Sequence, residues 1–195
     1  MTKKDILEKP KVTDEELISR FQKGDVQAYD VLVRRYKDQL LNYVYRFVNS
    51  RTDAEDLVQE TFLRVYKNKH YYKEIAKFST WVYTIAGNLA KTELRRRKRR
   101  RIFSVSNFVN EDMVYDIPDA DHNPERDVDG AMKDEIIQKA IDKLPAKFKE
   151  VILLRDELGF AYEENGDILD IPMGTVKSRV NRGRIQLQEE LKFLY

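Results

Sequence analysis

Apolar residues recur along this chain at intervals of three and four, the period of helices that bury one face. The stretch TDEELISRFQKG sets Thr13 and Glu16 at capping-box spacing and closes on Gly24, as a short helix should. A second helix is predicted from about Asp25, with Ala28, Leu32, Tyr36 and Leu40 four apart, continuing through LLNYVYRFV until NSRTD interrupts it. On the third, DAEDLVQETFLRVYKN, a rotation of 100° per residue sorts the side chains onto two faces. Ala54, Val58, Phe62 and Val65 share one arc, and Asp53, Asp56 and Glu60 lie opposite.

After a polar, aromatic-bearing connection, KNKHYYKEIAK, the segment FSTWVYTIAGNLAKTELRRRKRRR predicts a helix capped by Ser79 or Thr80. Its apolar arc holds Trp81, Val82, Ile85, Ala86 and Leu89, with Thr84, Asn88, Lys91 and Arg95 on a polar flank. Tyr71, Tyr72, Phe78 and Tyr83 lie in or beside the connection that leads to the basic residues. Aromatic side chains next to guanidinium groups suit the stacking of unpaired bases above a phosphate-tracking groove.

Near the C-terminus, FAYEENGDILDIPMGTVKSRVNRGRIQLQEELKFL reads as a helix, a tight turn at DIP and a longer helix entered at Pro172. Thr175, Lys177, Ser178, Arg179, Asn181, Arg182 and Arg184 supply its polar surface, while Val176, Val180, Leu187 and Leu191 can face a core. This is a helix-turn-helix pattern, whose second helix fits a major groove.

Composition narrows what these helices do. The 195 residues are 42% hydrophobic and 36% charged, with no apolar run approaching a membrane span, no signal-peptide core and no cysteine, so the cytoplasm is the default compartment. The two histidines, His70 and His122, fall in predicted loop or linker. With no nucleophile elbow, phosphate-binding loop or dinucleotide fingerprint, the chain is not read as an enzyme and no cofactor or metal is expected. Three carboxylates on one helix make a poor hard-cation site, because such sites draw ligands from several elements. They suit a basic protein partner instead.

The net charge of +2 conceals two opposed blocks. Lys91 to Arg101 carries eight basic residues against Glu93, a sum of +7, and Asn110 to Gly130 carries eight acidic residues against Arg126, a sum of −7. With Pro118, Pro124 and Gly130 and no helical period, the acidic segment reads as a linker, solvated or lying on the basic block. The expected fold is all-α: two small helical domains, 1–101 and 130–195, joined by a flexible acidic linker at 102–129.

Taken in order, DAEDLVQETFLRVY, FSTWVYTIAGNLAKTELRR and IPMGTVKSRVNRGR closely resemble bacterial extracytoplasmic-function sigma factors, from about Thr13 to Leu191. The resemblance implies sigma region 2 followed by region 4, a transcription initiation factor, and core RNA polymerase as partner through its β′ clamp helices and β flap. It implies polymerase contacts at Asp53, Asp56, Leu57, Gln59 and Glu60. It implies recognition and melting of a −10 element, held single-stranded by Tyr72, Phe78, Thr80, Trp81, Tyr83, Asn88, Lys91, Thr92 and Arg95. It assigns the duplex −35 element to Thr175, Lys177, Ser178, Arg179, Asn181 and Arg182, and the arginine block to promoter phosphates. An anti-sigma factor is a further implied partner.

The chain departs from the family pattern in two places. Asn165 and Gly166 stand where an apolar residue and alanine are usual, so the first helix of the helix-turn-helix is expected to be weakened or shifted, glycine costing about 1 kcal/mol there. Asn181 stands where an aromatic residue or histidine is common. A helix-turn-helix repressor or activator is the competing reading, but it leaves the acidic helix and the aromatic loop without a role.

Overall fold

A computed structural model describes residues 12–107 and 128–192. The elements are α1 (Asp14–Gln22), α2 (Val26–Val48), α3 (Arg51–Lys67), a 3-10 turn at Lys69–Tyr71, α4 (Phe78–Asn107), α5 (Val128–Lys143), α6 (Ala146–Ile152) running into a π-helical turn at Leu153–Glu157, α7 (Tyr162–Leu169) and α8 (Met173–Glu190). The acidic stretch 110–127, with His122 and both linker prolines, lies outside the described residues.

Local chemistry sets the boundaries. Thr13 Oγ1 accepts the Glu16 amide at 3.1 Å to open α1, and Asp25 accepts the Ala28 amide to open α2. Gly24, at φ +103°, makes the turn between them, a conformation that a Cβ would disfavour. Asn49 takes the left-handed conformation after α2, and Ser50 then caps α3. Neither Ser79 nor Thr80 caps α4. The helix already begins at Phe78, whose amide donates to the Glu15 carboxylate of α1 at 3.0 Å. α4 also continues beyond Arg101 to Asn107, six residues further than the basic block.

The apolar arcs pack as predicted. Leu17, Ile18 and Phe21 of α1, Ala28, Leu32, Tyr36, Leu40 and Val44 of α2, Ala54, Val58, Phe62 and Val65 of α3, and Val82, Ala86 and Ala90 of α4 are all buried in one core. Ile141, Leu153, Leu154 and Ile168 of the C-terminal half join that core, so the two halves meet through an apolar seam. Val151, Ile152, Val176 and Val180 form a second cluster that fixes α8 against α6.

Candidate functional site

The outward face of α3 is a mixed stripe. Asp56 lies three and four residues before Gln59 and Glu60, and these lie four and three before Leu63; Asp56, Gln59 and Leu63 are exposed, and Glu60 is half-buried and bonded to Arg64 at 2.8 Å. Leu57 is half-buried behind the stripe. Asp53 is half-buried, and Arg97 of α4 bonds its carboxylate. Sequence reasoning missed Leu63 and Tyr66, both exposed at the end of this face; their positions seven residues after Asp56 and Gln59, on the polar side of the helix, were the available signal.

The loop between α3 and α4 and the outer side of α4 make a second surface. At the loop, Tyr71 is 81% exposed and Ile75 89%, the two most open of the exposed large apolar side chains among the described residues. Tyr72 is buried beside them, its hydroxyl donating to the Ala76 carbonyl at 2.8 Å; burial, ahead of the carboxylate of Glu15, pushes the phenol up to about 12 and keeps it neutral. Trp81 is half-buried and leans on Tyr72 with ring centres 5.4 Å apart. Asn88, Thr92 and Arg95 are exposed one to two turns apart, Thr92 bonding the Asn88 carbonyl, and Lys91 is half-buried beside them.

Phe78, Tyr83 and Thr80 do not belong to an open base-stacking surface. Phe78 is fully buried against Tyr36, Tyr72 and Trp81, and Tyr83 is buried edge-on to Tyr36 and Tyr43. Thr80 is buried too, its carbonyl accepting the Thr84 hydroxyl. The reason is angular: Tyr83 stands 200° around the helix from Trp81, so when Trp81 looks out Tyr83 looks in.

The arginine block divides in the same way. Arg95, Arg99 and Arg100 are exposed. Arg97 instead donates to the Val48 carbonyl at 2.6 Å and to Glu93 at 3.2 Å as well as to Asp53, so it joins α4 to the α2–α3 corner. Glu93 also bonds Arg96, and that guanidinium, first among its surroundings, holds the Glu93 carboxyl below its ordinary value.

In the helix-turn-helix, α7 forms despite the two departures. Glu164 accepts the Ala161 amide at 2.8 Å to close its first turn, and Asp170 ends it in the left-handed conformation. From Tyr162 to Leu169 the helix runs unbroken through Gly166. A Cβ there would lie 2.9 Å from the Ile171 carbonyl oxygen, so the glycine lets the turn fold close. Asn165 is fully buried, its amide nitrogen bonding the Phe160 and Ala161 carbonyls while Oδ1 has no partner. On α8, Lys177, Ser178, Asn181 and Arg182 are exposed, and Thr175 and Arg179 are half-buried. Arg184 is drawn off this surface by two bonds to Asp156, at 3.0 and 2.5 Å.

The halves meet where α4 and the loop before it pack on Phe160 and α7. Tyr83 packs on Phe160 with ring centres 5.0 Å apart, Lys77 pairs with Glu164 at 2.8 Å, and the Thr84 hydroxyl reaches the Ile168 carbonyl at 3.4 Å. A polar clamp closes the other end: Arg46 bonds Gln138 and Glu157, and the buried Lys149 ammonium bonds the Arg46 carbonyl and Asp142. Between the loop that precedes α4 and α7–α8 lies a cavity of about 970 Å³ that Tyr72, Ile75, Trp81, Asp170 and Met173 help to line. Glu150 of α6 sits 3.8 Å from Lys91; burial holds its carboxyl above its ordinary value, against the pull of Lys91, Arg179 and Arg95. Residues so far apart in sequence gave no periodic signal of this contact.

Among the described residues no helix is long and apolar enough to cross a membrane. A family model for sigma-70 region 2 matches residues 32–100 and one for sigma-70 region 4 matches residues 134–187. The ECF RNA polymerase sigma-E factor of Haemophilus influenzae is 34% identical over 184 residues, 93% of this chain and 96% of that protein. The ECF RNA polymerase sigma factor SigW of Bacillus subtilis is 38% identical over 181 residues, covering 91% and 96%. Among solved structures, the sigma factor RpoE of Bartonella quintana in complex with the anti-sigma factor NepR aligns with a TM-score of 0.66 at 26% identity, covering 84% of this chain and 96% of that one.

Proposed function

Because this chain belongs to the extracytoplasmic-function sigma factors of the sigma-70 family, we propose that its three exposed stripes divide the work of promoter-directed initiation. The chain is a transcription initiation factor that binds core RNA polymerase and directs it to promoters. The stripe Asp56–Gln59–Glu60–Leu63 docks on core polymerase, its carboxylates meeting a basic partner and Leu63 an apolar one. Tyr71, Trp81, Asn88, Lys91, Thr92 and Arg95 take the −10 element, with ring stacking holding melted bases and the cations holding phosphates. Lys177, Ser178, Asn181 and Arg182 read or grip the −35 duplex from the major groove. The chain contributes binding rather than catalysis, acts in the cytoplasm, and has an anti-sigma partner, as the RpoE relative does.

The observation that carries this division is α4. It sets an aromatic loop, a half-buried tryptophan and a polar cationic stripe in one line, which a repressor reading duplex DNA through α8 does not require. Elements named for positions 35 and 10 lie about 25 base pairs apart, or about 85 Å at 3.4 Å per step. In the packed halves one carboxylate, Glu150, feels both Lys91 of α4 and Arg179 of α8, so the two readers sit far closer than this and promoter binding requires them to separate.

The test is run-off transcription by purified bacterial core polymerase on promoter fragments, with and without the protein. Specific transcripts that disappear with Asp56→Lys and Glu60→Lys support the assignment; Asp53 is spared because it holds Arg97. Tight duplex binding by the protein alone, without transcripts, overturns it.

A further inference from the structure

The loop that carries Tyr71 and Ile75 is held from outside the segment matched as region 2, which begins at residue 32. All of its external tethers named below come from α1. Gln22 Nε2 donates to the Lys69 carbonyl at 2.7 Å and to the Tyr72 carbonyl at 3.0 Å. The ring of Phe21 lies under the Lys69 ammonium, 4.1 Å from its centre. Glu15 accepts the Phe78 amide where the loop enters α4. One amide thus fixes two carbonyls three residues apart, and one carboxylate caps the helix that follows.

We propose that Gln22 and Glu15 are positioning residues for −10 recognition, which hold the 69–77 loop in its reading conformation without touching DNA themselves. The inference rests on the assignment of that loop to the −10 strand. A loop whose tip is exposed has few contacts of its own to define it. Its backbone is set where Gln22 closes the 3-10 turn, Tyr72 folds back on Ala76, and Glu15 fixes the first amide of α4. Freed of Gln22, two carbonyls turn to water, and the Tyr72 ring, on which Trp81 leans, loses its anchor. Specificity requires the reading groups to be held by a supporting shell.

The polarity of these bonds supplies a signature that packing alone would not. Gln22 acts as donor to two acceptors, so Gln22→Lys retains the function, Gln22→Ala loses it, and Gln22→Glu, which sets a carboxylate against two carbonyls, is worst. Glu15 acts as acceptor, so Glu15→Gln retains the function and Glu15→Met does not.

The probe is a library of random single-stranded DNA of about ten nucleotides, within the site sizes that such surfaces cover. The strand selected by the full-length chain is compared with a scrambled strand of equal composition. The expected preference falls about ten-fold for Gln22→Ala, within what one good base contact provides. Duplex binding through α8 and core polymerase binding stay unchanged. Trp81, the single tryptophan, reports the loop directly, its emission moving to the red in Gln22→Ala and not in Gln22→Lys. Full preference in the alanine and glutamate variants overturns the inference, as does an equal loss in all three Gln22 variants, which would mark a packing role. If the wild-type chain itself shows no preference, the assignment of the loop falls, and this inference with it.

Discussion

Arg97→Ala separates the two jobs that the run of arginines performs. The guanidinium holds the Val48 carbonyl at 2.6 Å, at the end of α2 where helical carbonyls lack intrahelical partners, and it pairs with Asp53 and Glu93. A hydrogen bond from a charged donor contributes about 1.5–3 kcal/mol. The side chain is 32% exposed, so the lower end applies to the carbonyl bond, and each ion pair adds about 0.5 kcal/mol at most. Removal therefore costs about 2 kcal/mol, which for a chain of this size lowers the unfolding midpoint by about 4–8 °C. Arg95→Ala, two positions earlier, removes an exposed cation and leaves the midpoint in place, while lowering by about 1 the slope of log affinity for promoter DNA against log salt. Thermal unfolding by circular dichroism and a salt titration of DNA binding measure both. If Arg97→Ala melts with the wild type, or costs only DNA affinity, its assignment to the α2–α3 corner is wrong.

Glu150→Gln gives a pH test of the seam: the folded carboxyl lies above its ordinary 4.5, so its contribution to stability is complete below that value and is lost as pH rises through the folded one. Wild-type stability should therefore decline over that window, and the glutamine variant should flatten the profile in denaturant titrations at each pH. Asn165→Leu removes a buried oxygen without a partner and adds apolar packing, at the loss of two long hydrogen bonds, for a net gain of about 1 kcal/mol; a lower melting point would contradict this. The absence of native cysteine makes Lys77→Cys with Glu164→Cys a clean pair for a short reducible thiol bridge. The bridged chain should fail in run-off transcription and recover on reduction, whereas full activity while bridged would mean that the halves need not part.

Periodicity found the helices because each has to bury one face, and Ala54, Val58, Phe62 and Val65 went where a 100° step puts them. It failed where one residue had two readings. Tyr83 reads equally as a base-stacking ring near a loop or as a core ring, and only its rotation relative to Trp81 decides between them. Glu15 reads as first-turn decoration of α1, a favourable place for an acid on its own helix. Its bond to the Phe78 amide, sixty-three residues away, is tertiary and leaves no local pattern.

Charge was the least legible feature for the same reason. A run of like charges in sequence predicts a polyanion partner for the whole run, yet a helix distributes those residues around its circumference. Arg95 looks to solvent, Arg96 and Arg97 turn to Glu93, and Arg97 continues to Asp53 and Val48. The carboxylate first counted as part of a docking face is thereby what anchors an arginine first counted as a phosphate contact. Each is engaged by the other in the folded chain, so neither charge is fully available to the partner its position in the sequence suggests.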